Sequence, residues 1–143
     1  MQTLTTAEMR KKMSWCDKLK DKLSGDAMFE AIDEWNKINE ILYPMMKEQS
    51  EMVFSVPGKY FPDAEISVFR YSDGLYAYSS NATVENAGYG SGFHGFIRKT
   101  RDEVINEAKR YMRGWCERHA KEGSNRAKKI LAELNKSTQQ TLF

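Results

Sequence analysis

The hydrophobic period of this chain changes twice, and those two changes restrict it to a mixed architecture. Apolar residues recur at helical spacing up to about residue 50, alternate one-on, one-off from Met52, and return to helical spacing after Thr100. A run of helices, then strands, then helices cannot build a doubly wound parallel sheet, which needs strands and helices in alternation. It predicts an α+β domain with helices layered on an antiparallel sheet.

The first block begins at Thr5-Thr6-Ala7-Glu8, a capping box in which hydroxyl and carboxylate satisfy the free N–H groups of a helix start. Met9, Met13, Cys16, Leu19 and Leu23 follow at helical spacing. After the break at Ser24-Gly25-Asp26 the pattern resumes with Met28, Phe29, Ile32, Trp35, Ile38, Ile41, Leu42 and Met45. This predicts an antiparallel helical hairpin over 5–50, with Pro44 a candidate kink because proline removes a backbone donor. Residues 51–98 predict a meander of three antiparallel strands. Met52, Phe54 and Val56 share one face of the first, Ile66 and Val68 one face of the second, and Asp73-Gly74 supplies the turn to the third. A fourth short strand is expected near Phe93 to Ile97. Thr100-Arg101-Asp102-Glu103 is a second capping box. The helix it opens carries Val104, Ile105, Ala108, Tyr111, Met112, Trp115 and His119 on one side. Gly123 stops that helix and Ser124 caps a last one with Ala127, Ile130, Leu131 and Leu134 inward. The stripe ends there, so the reading is a single domain over 1–135 and a flexible tail over 136–143.

A chain of 143 residues can bury one adequate core. Basic and acidic residues number 22 and 20, so no global field imposes a nucleic-acid or membrane partner. The start Met1-Gln2-Thr3-Leu4 has neither the basic residues nor the apolar stretch of a secretory signal, and no apolar run is long enough for a membrane span. The expectation is a cytoplasmic protein in which Cys16 and Cys116, both at helical core positions, remain small buried thiols.

Catalytic signals are sparse. His94 and His119 are the only histidines and lack metal spacing. No serine or cysteine is placed beside a base, and Asp33-Glu34 and Asp102-Glu103 are explained by helix starts and solvated faces. The segment Gly88-Tyr89-Gly90-Ser91-Gly92-Phe93-His94-Gly95 lacks the Gly-Lys-Ser/Thr ending of a phosphate loop and reads as a structural or partner-binding loop. The sequence therefore predicts a non-enzymatic protein without metal or cofactor. Tyr89, Phe93, His94 and Phe96 are candidate partner contacts. Twelve basic against six acidic residues between Arg98 and Lys136 make a second candidate surface, for nucleic acid, with Lys109, Arg110, Arg113, Lys128 and Lys129 as its contacts.

The run Gln139-Gln140-Thr141-Leu142-Phe143 resembles the bacterial sliding-clamp-binding motif, a pentapeptide with glutamine first, a small polar residue third and Leu-Phe last. Such a peptide sinks an aliphatic and aromatic pair into apolar pockets while an amide fixes its other end. The resemblance implies Gln139 as amide anchor, Thr141 as spacer, and Leu142 and Phe143 as plugs. Gln140 stands where leucine is common, which lowers the expected affinity. The order of elements from Ile66 to Ala108 is also similar to small domains found in phage and plasmid proteins. Together the resemblances imply a mobile-element accessory protein acting inside a bacterium by binding, with the sliding clamp as partner. Two further readings stay open: inhibition of a bacterial defence complex, such as an anti-CRISPR activity, through Tyr89 to Phe96, and nucleic-acid binding by the basic helices.

Overall fold

A computed structural model of the chain describes residues 3–93 and 97–141, the side chains of 137–141 excepted. Two compact units emerge: residues 1–49 with 70–74, and residues 50–69 with 75–143.

In the first unit, α1 (Thr6–Lys22) and α2 (Gly25–Gln49) pack against each other. The capping box is formed in full. Thr5 Oγ1 accepts from the Glu8 amide at 3.2 Å and Glu8 Oε1 from the Thr5 amide at 3.2 Å. Gly25 makes the break between the helices at φ +63°. Ala7, Met9, Met13 and Cys16 are buried on α1, and Ala31, Ile38, Leu42 and Met46 on α2, largely at the spacing of one helix face. Phe29 and Ile41, expected inward, are instead 58% and 59% exposed. Ile41 precedes Leu42 by one residue, hence by about 100° of helix, and both cannot point into the same seam. The helix continues through Pro44.

The segment 70–74 belongs to this unit because α1 holds it. The Ala7 amide donates to Ser72 Oγ at 3.0 Å and the Ser72 amide to Thr6 Oγ1 at 2.8 Å. The Arg10 guanidinium grips both Asp73 oxygens, at 3.0 and 2.6 Å, and lies 4.5 Å from the Tyr71 ring centre. Gly74 alone takes a positive φ here, +85°. Asp73, its neighbour in the turn, has no positive φ and serves as the anion for Arg10.

In the second unit, β1 (Glu51–Val56), β2 (Ala64–Arg70), β3 (Tyr76–Thr83) and β4 (Gly88–Ser91) form an antiparallel sheet in sequence order. Together with the helices this is the α+β architecture expected from the period changes. The β1–β2 register shifts between Met52 and Phe54, and this bulge carries Met52 off the core face, leaving it half exposed while Phe54 and Val56 stay buried. The fourth strand of the sheet is the glycine segment, with Thr83 opposite Gly88 and Ser80 opposite Ser91, while residues 94–96 of the short strand expected near Phe93 to Ile97 lie outside the described residues. Further along, Arg98 makes an isolated bridge to Tyr76. On β2, Ile66 and Val68 are buried as expected, but so is Phe69, whose ring meets Phe93 edge-on at 6.2 Å.

α3 (Arg101–Lys121) and α4 (Asn125–Thr141) complete the unit. Thr100 caps α3 by accepting from the Glu103 amide, but the Glu103 carboxylate takes the Thr100 hydroxyl at 2.9 Å, not the backbone N–H of a reciprocal box. Val104, Ala108, Met112 and Cys116 of α3 join Ile130 and Leu134 of α4 and Val56, Ile66 and Val68 of the sheet in one core. Leu134 is the last buried residue of α4 among those described, as the stripe predicts, yet the backbone stays helical to Thr141 where a tail from residue 136 is expected.

Both cysteines are free and buried. Burial raises the Cys16 thiol and pushes that of Cys116 up to about 11. At pH 8 a thiol of that pKa holds more than about a hundredfold less thiolate than an ordinary cysteine. In an Ellman titration the native protein should therefore react very slowly at Cys116 and release two equivalents only on denaturation.

Candidate functional site

The connection from β1 to β2 is seven residues, Pro57-Gly58-Lys59-Tyr60-Phe61-Pro62-Asp63, and it carries the most exposed aromatic pair among the described residues. Tyr60 and Phe61 are each 81% exposed. A loop of two prolines and two exposed rings has no reason to hold one shape unless something beneath anchors it. That anchor is Asp63.

Asp63 is held by backbone and side chain together. Its amide donates to the Val56 carbonyl at 2.7 Å and its carbonyl accepts from the Thr83 amide at 2.8 Å, so the residue is locked between β1 and β3. Its buried carboxylate receives the Arg126 guanidinium at 2.5 Å and Lys129 Nζ at 3.4 Å from the first turns of α4. Lys129 also donates to the Pro57 carbonyl at 2.7 Å, which ties the loop's first residue to the helix. Burial by itself would raise the Asp63 pKa; the hydrogen bonds and charges of Arg126 and Lys129 outweigh it and hold the carboxyl below its ordinary value. Gly58 sits so close to this cluster that a Cβ there would overlap the Phe61 carbonyl oxygen and lie 2.6 Å from Asp63 Oδ1.

The start of α4 is fixed by a second carboxylate. Glu85, in the β3–β4 turn, accepts the Ser124 hydroxyl at 2.6 Å and the Arg126 amide at 3.0 Å, and Ser124 Oγ accepts from the Ala127 amide at 3.0 Å. The Ser124 bond, with the backbone bonds, lowers the pKa of Glu85. The Arg126, Ala127 and Lys128 amides at the helix start are thus satisfied by the chain itself. Between the loop and α4 lies an open cleft of about 670 Å³, lined by Lys59, Tyr60, Phe61, Thr83, Asn125, Arg126 and Lys129 with Asp63 at its base. Lys59 Nζ stands 5.4 Å from the Tyr60 ring centre. Three cations, one carboxylate and two exposed rings make a surface suited to an anion that also has flat apolar faces.

The residues picked out by sequence are distributed differently. Phe93 is 2% exposed, its ring packed edge-on against Phe69 and not on the open surface expected for a partner contact. Tyr89 is half-buried, its ring 5.1 Å from Tyr111 and 5.0 Å from Trp115, which in turn stacks 4.3 Å from His119. Burial pushes its phenol up to about 12. The glycine segment became a strand, and strand alternation turned Tyr89 toward α3. His94, Phe96, Leu142 and Phe143, and the side chains of Gln139 and Thr141, lie outside the described residues. Of the basic candidates, Lys109, Arg110 and Arg113 lie on α3 and Lys128 and Lys129 on α4, and only Lys129 enters the cleft. Burial, with Arg113 nearby, lowers the Lys109 pKa.

Sequence reading missed Tyr60, Phe61, Asp63 and Arg126 as a group. A signal was present: adjacent aromatics enclosed by Pro57-Gly58 and Pro62 fill no strand or helix position. No His, Cys, Asp and Glu cluster of metal-binding kind occurs among the described residues, nor does a helix long and apolar enough to cross a membrane. No protein-family model matches the chain, and neither a curated protein nor a solved structure is detectably similar to it.

Proposed function

We infer that this protein is a non-enzymatic accessory protein of a phage or other mobile element that docks on the bacterial DNA sliding clamp through Gln139 to Phe143. The observation that carries the reading is the pentapeptide itself together with its distance from the core. Every residue between Leu134 and Leu142 is polar. An α-helix rises about 1.5 Å per residue, so α4 carries its backbone about 10 Å beyond Leu134 by Thr141. A leucine and a phenylalanine side by side after such a polar stretch favour docking over folding, since a helix that had to bury them would carry apolar residues on the way.

Pulldown with purified clamp tests this. The full chain should retain clamp, and a chain lacking Gln139 to Phe143 should lose it while keeping its circular dichroism spectrum. Equal retention by both chains would remove the pentapeptide from the interaction.

A further inference from the structure

We propose that the cleft between the Pro57–Pro62 loop and α4 binds single-stranded DNA, with Tyr60 and Phe61 stacking on bases and Lys59, Arg126 and Lys129 holding the flanking phosphates. The site stands on geometry independent of the clamp-docking residues; only the choice of DNA over RNA rests on the clamp reading, because DNA is the nucleic acid that a clamp-bound chain meets.

Two adjacent rings, each 81% exposed, are held on a loop whose first residue is tied to Lys129 and whose base is the Asp63 carboxylate. A loop backbone held at both ends in this way has less freedom left to lose when a flat partner arrives. Bases offer such faces only where the strand is unpaired, since in a duplex the faces are already stacked. Charge selects the same partner. Three cations line the cleft against a single carboxylate, and Arg126 and Lys129 keep 37% and 50% of their side-chain surface exposed while bound to Asp63. The Arg126 and Ala127 amides are already engaged by Glu85 and Ser124, so the cleft's cationic side chains are the main contacts open to phosphate. An acidic peptide would satisfy the cations but leave both rings without a partner.

Fluorescence anisotropy of a labelled oligothymidylate with the full chain tests the proposal, beside oligouridylate, duplex DNA and polyglutamate as competitors. Binding should weaken with salt, with a log–log slope between about −1.4 and −2.1, as expected for neutralising two or three single-strand phosphates. The double variant Tyr60→Ala/Phe61→Ala should lose at least about fivefold and up to about a hundredfold per stacked base, with an unchanged circular dichroism spectrum. Lys59→Glu should weaken binding severalfold and flatten the salt slope. The chain lacking Gln139 to Phe143 should bind DNA as the full chain does, which separates this proposal from the clamp reading. No binding, binding indifferent to the ring pair, equal binding of duplex, or displacement by polyglutamate at equal charge would overturn the site assignment. Tighter binding of oligouridylate would overturn the assignment to DNA.

Discussion

Gly58→Ala should destabilise the sheet-and-helix unit by about 2–3 kcal/mol, the upper range for forcing an extra carbon into a packed site. Its φ is unexceptional, so the effect is purely one of space. The new methyl would overlap the Phe61 carbonyl oxygen, which is backbone and cannot swing aside, and press on the Asp63 carboxylate at 2.6 Å. Relief requires the loop to lift from α4, which breaks the Lys129 bond to Pro57. Hydrogen exchange should therefore quicken at residues 57–64 and 124–130, with α1 unaffected. Lys59→Ala, one residue away on an exposed side chain, should stay within about 0.5 kcal/mol of the parent. Equal denaturant midpoints for Gly58→Ala and the parent would show that the loop is not pressed against Asp63.

Asp63→Asn should cost about 2–3 kcal/mol at neutral pH. Losing one partner of a buried ion pair typically costs about 3–5 kcal/mol. Here Arg126 and Lys129 are partly exposed and regain water, so the lower figure applies. The pH dependence has a definite sign. The folded-state pKa of Asp63 lies below its ordinary value of 3.8, so the ionised carboxylate binds its partners and favours the fold at all pH values above that. The contribution disappears as pH falls from about 4 through the folded-state pKa, where the parent's carboxyl also becomes neutral. Denaturation curves of parent and Asp63→Asn should run apart by a constant amount from neutral pH down to about 4 and converge below it. A gap that persists unchanged in strong acid would mean that the ion pair is not its source.

The fold was legible where the period of apolar residues was long and regular. The stripe Val104, Ala108, Met112 and Trp115 is the core face of α3, and Ala127, Ile130 and Leu134 that of α4, because burial along a helix leaves few alternatives. The stripe through Phe29 and Ile41 was read too broadly, since adjacent residues on a helix cannot share one seam. Glycine misled in the other direction: Gly88 to Ser91 looked like a loop by composition, and pairing with β3 made it a strand. The candidate site was least legible. Asp63 is separated from Arg126 and Lys129 by more than sixty residues of sequence, and only strand register and the phase of α4 bring the two cations to its carboxylate. The exposed ring pair was local information that alternation and helical spacing do not capture.

Titration calorimetry of purified sliding clamp with the full chain, its Phe143→Ala variant and its Tyr60→Ala/Phe61→Ala variant tests the central claim most directly. Loss of one buried aromatic anchor should lower clamp affinity at least about tenfold. The loop variant should bind clamp as the parent does. Undiminished affinity in Phe143→Ala would contradict docking through the pentapeptide.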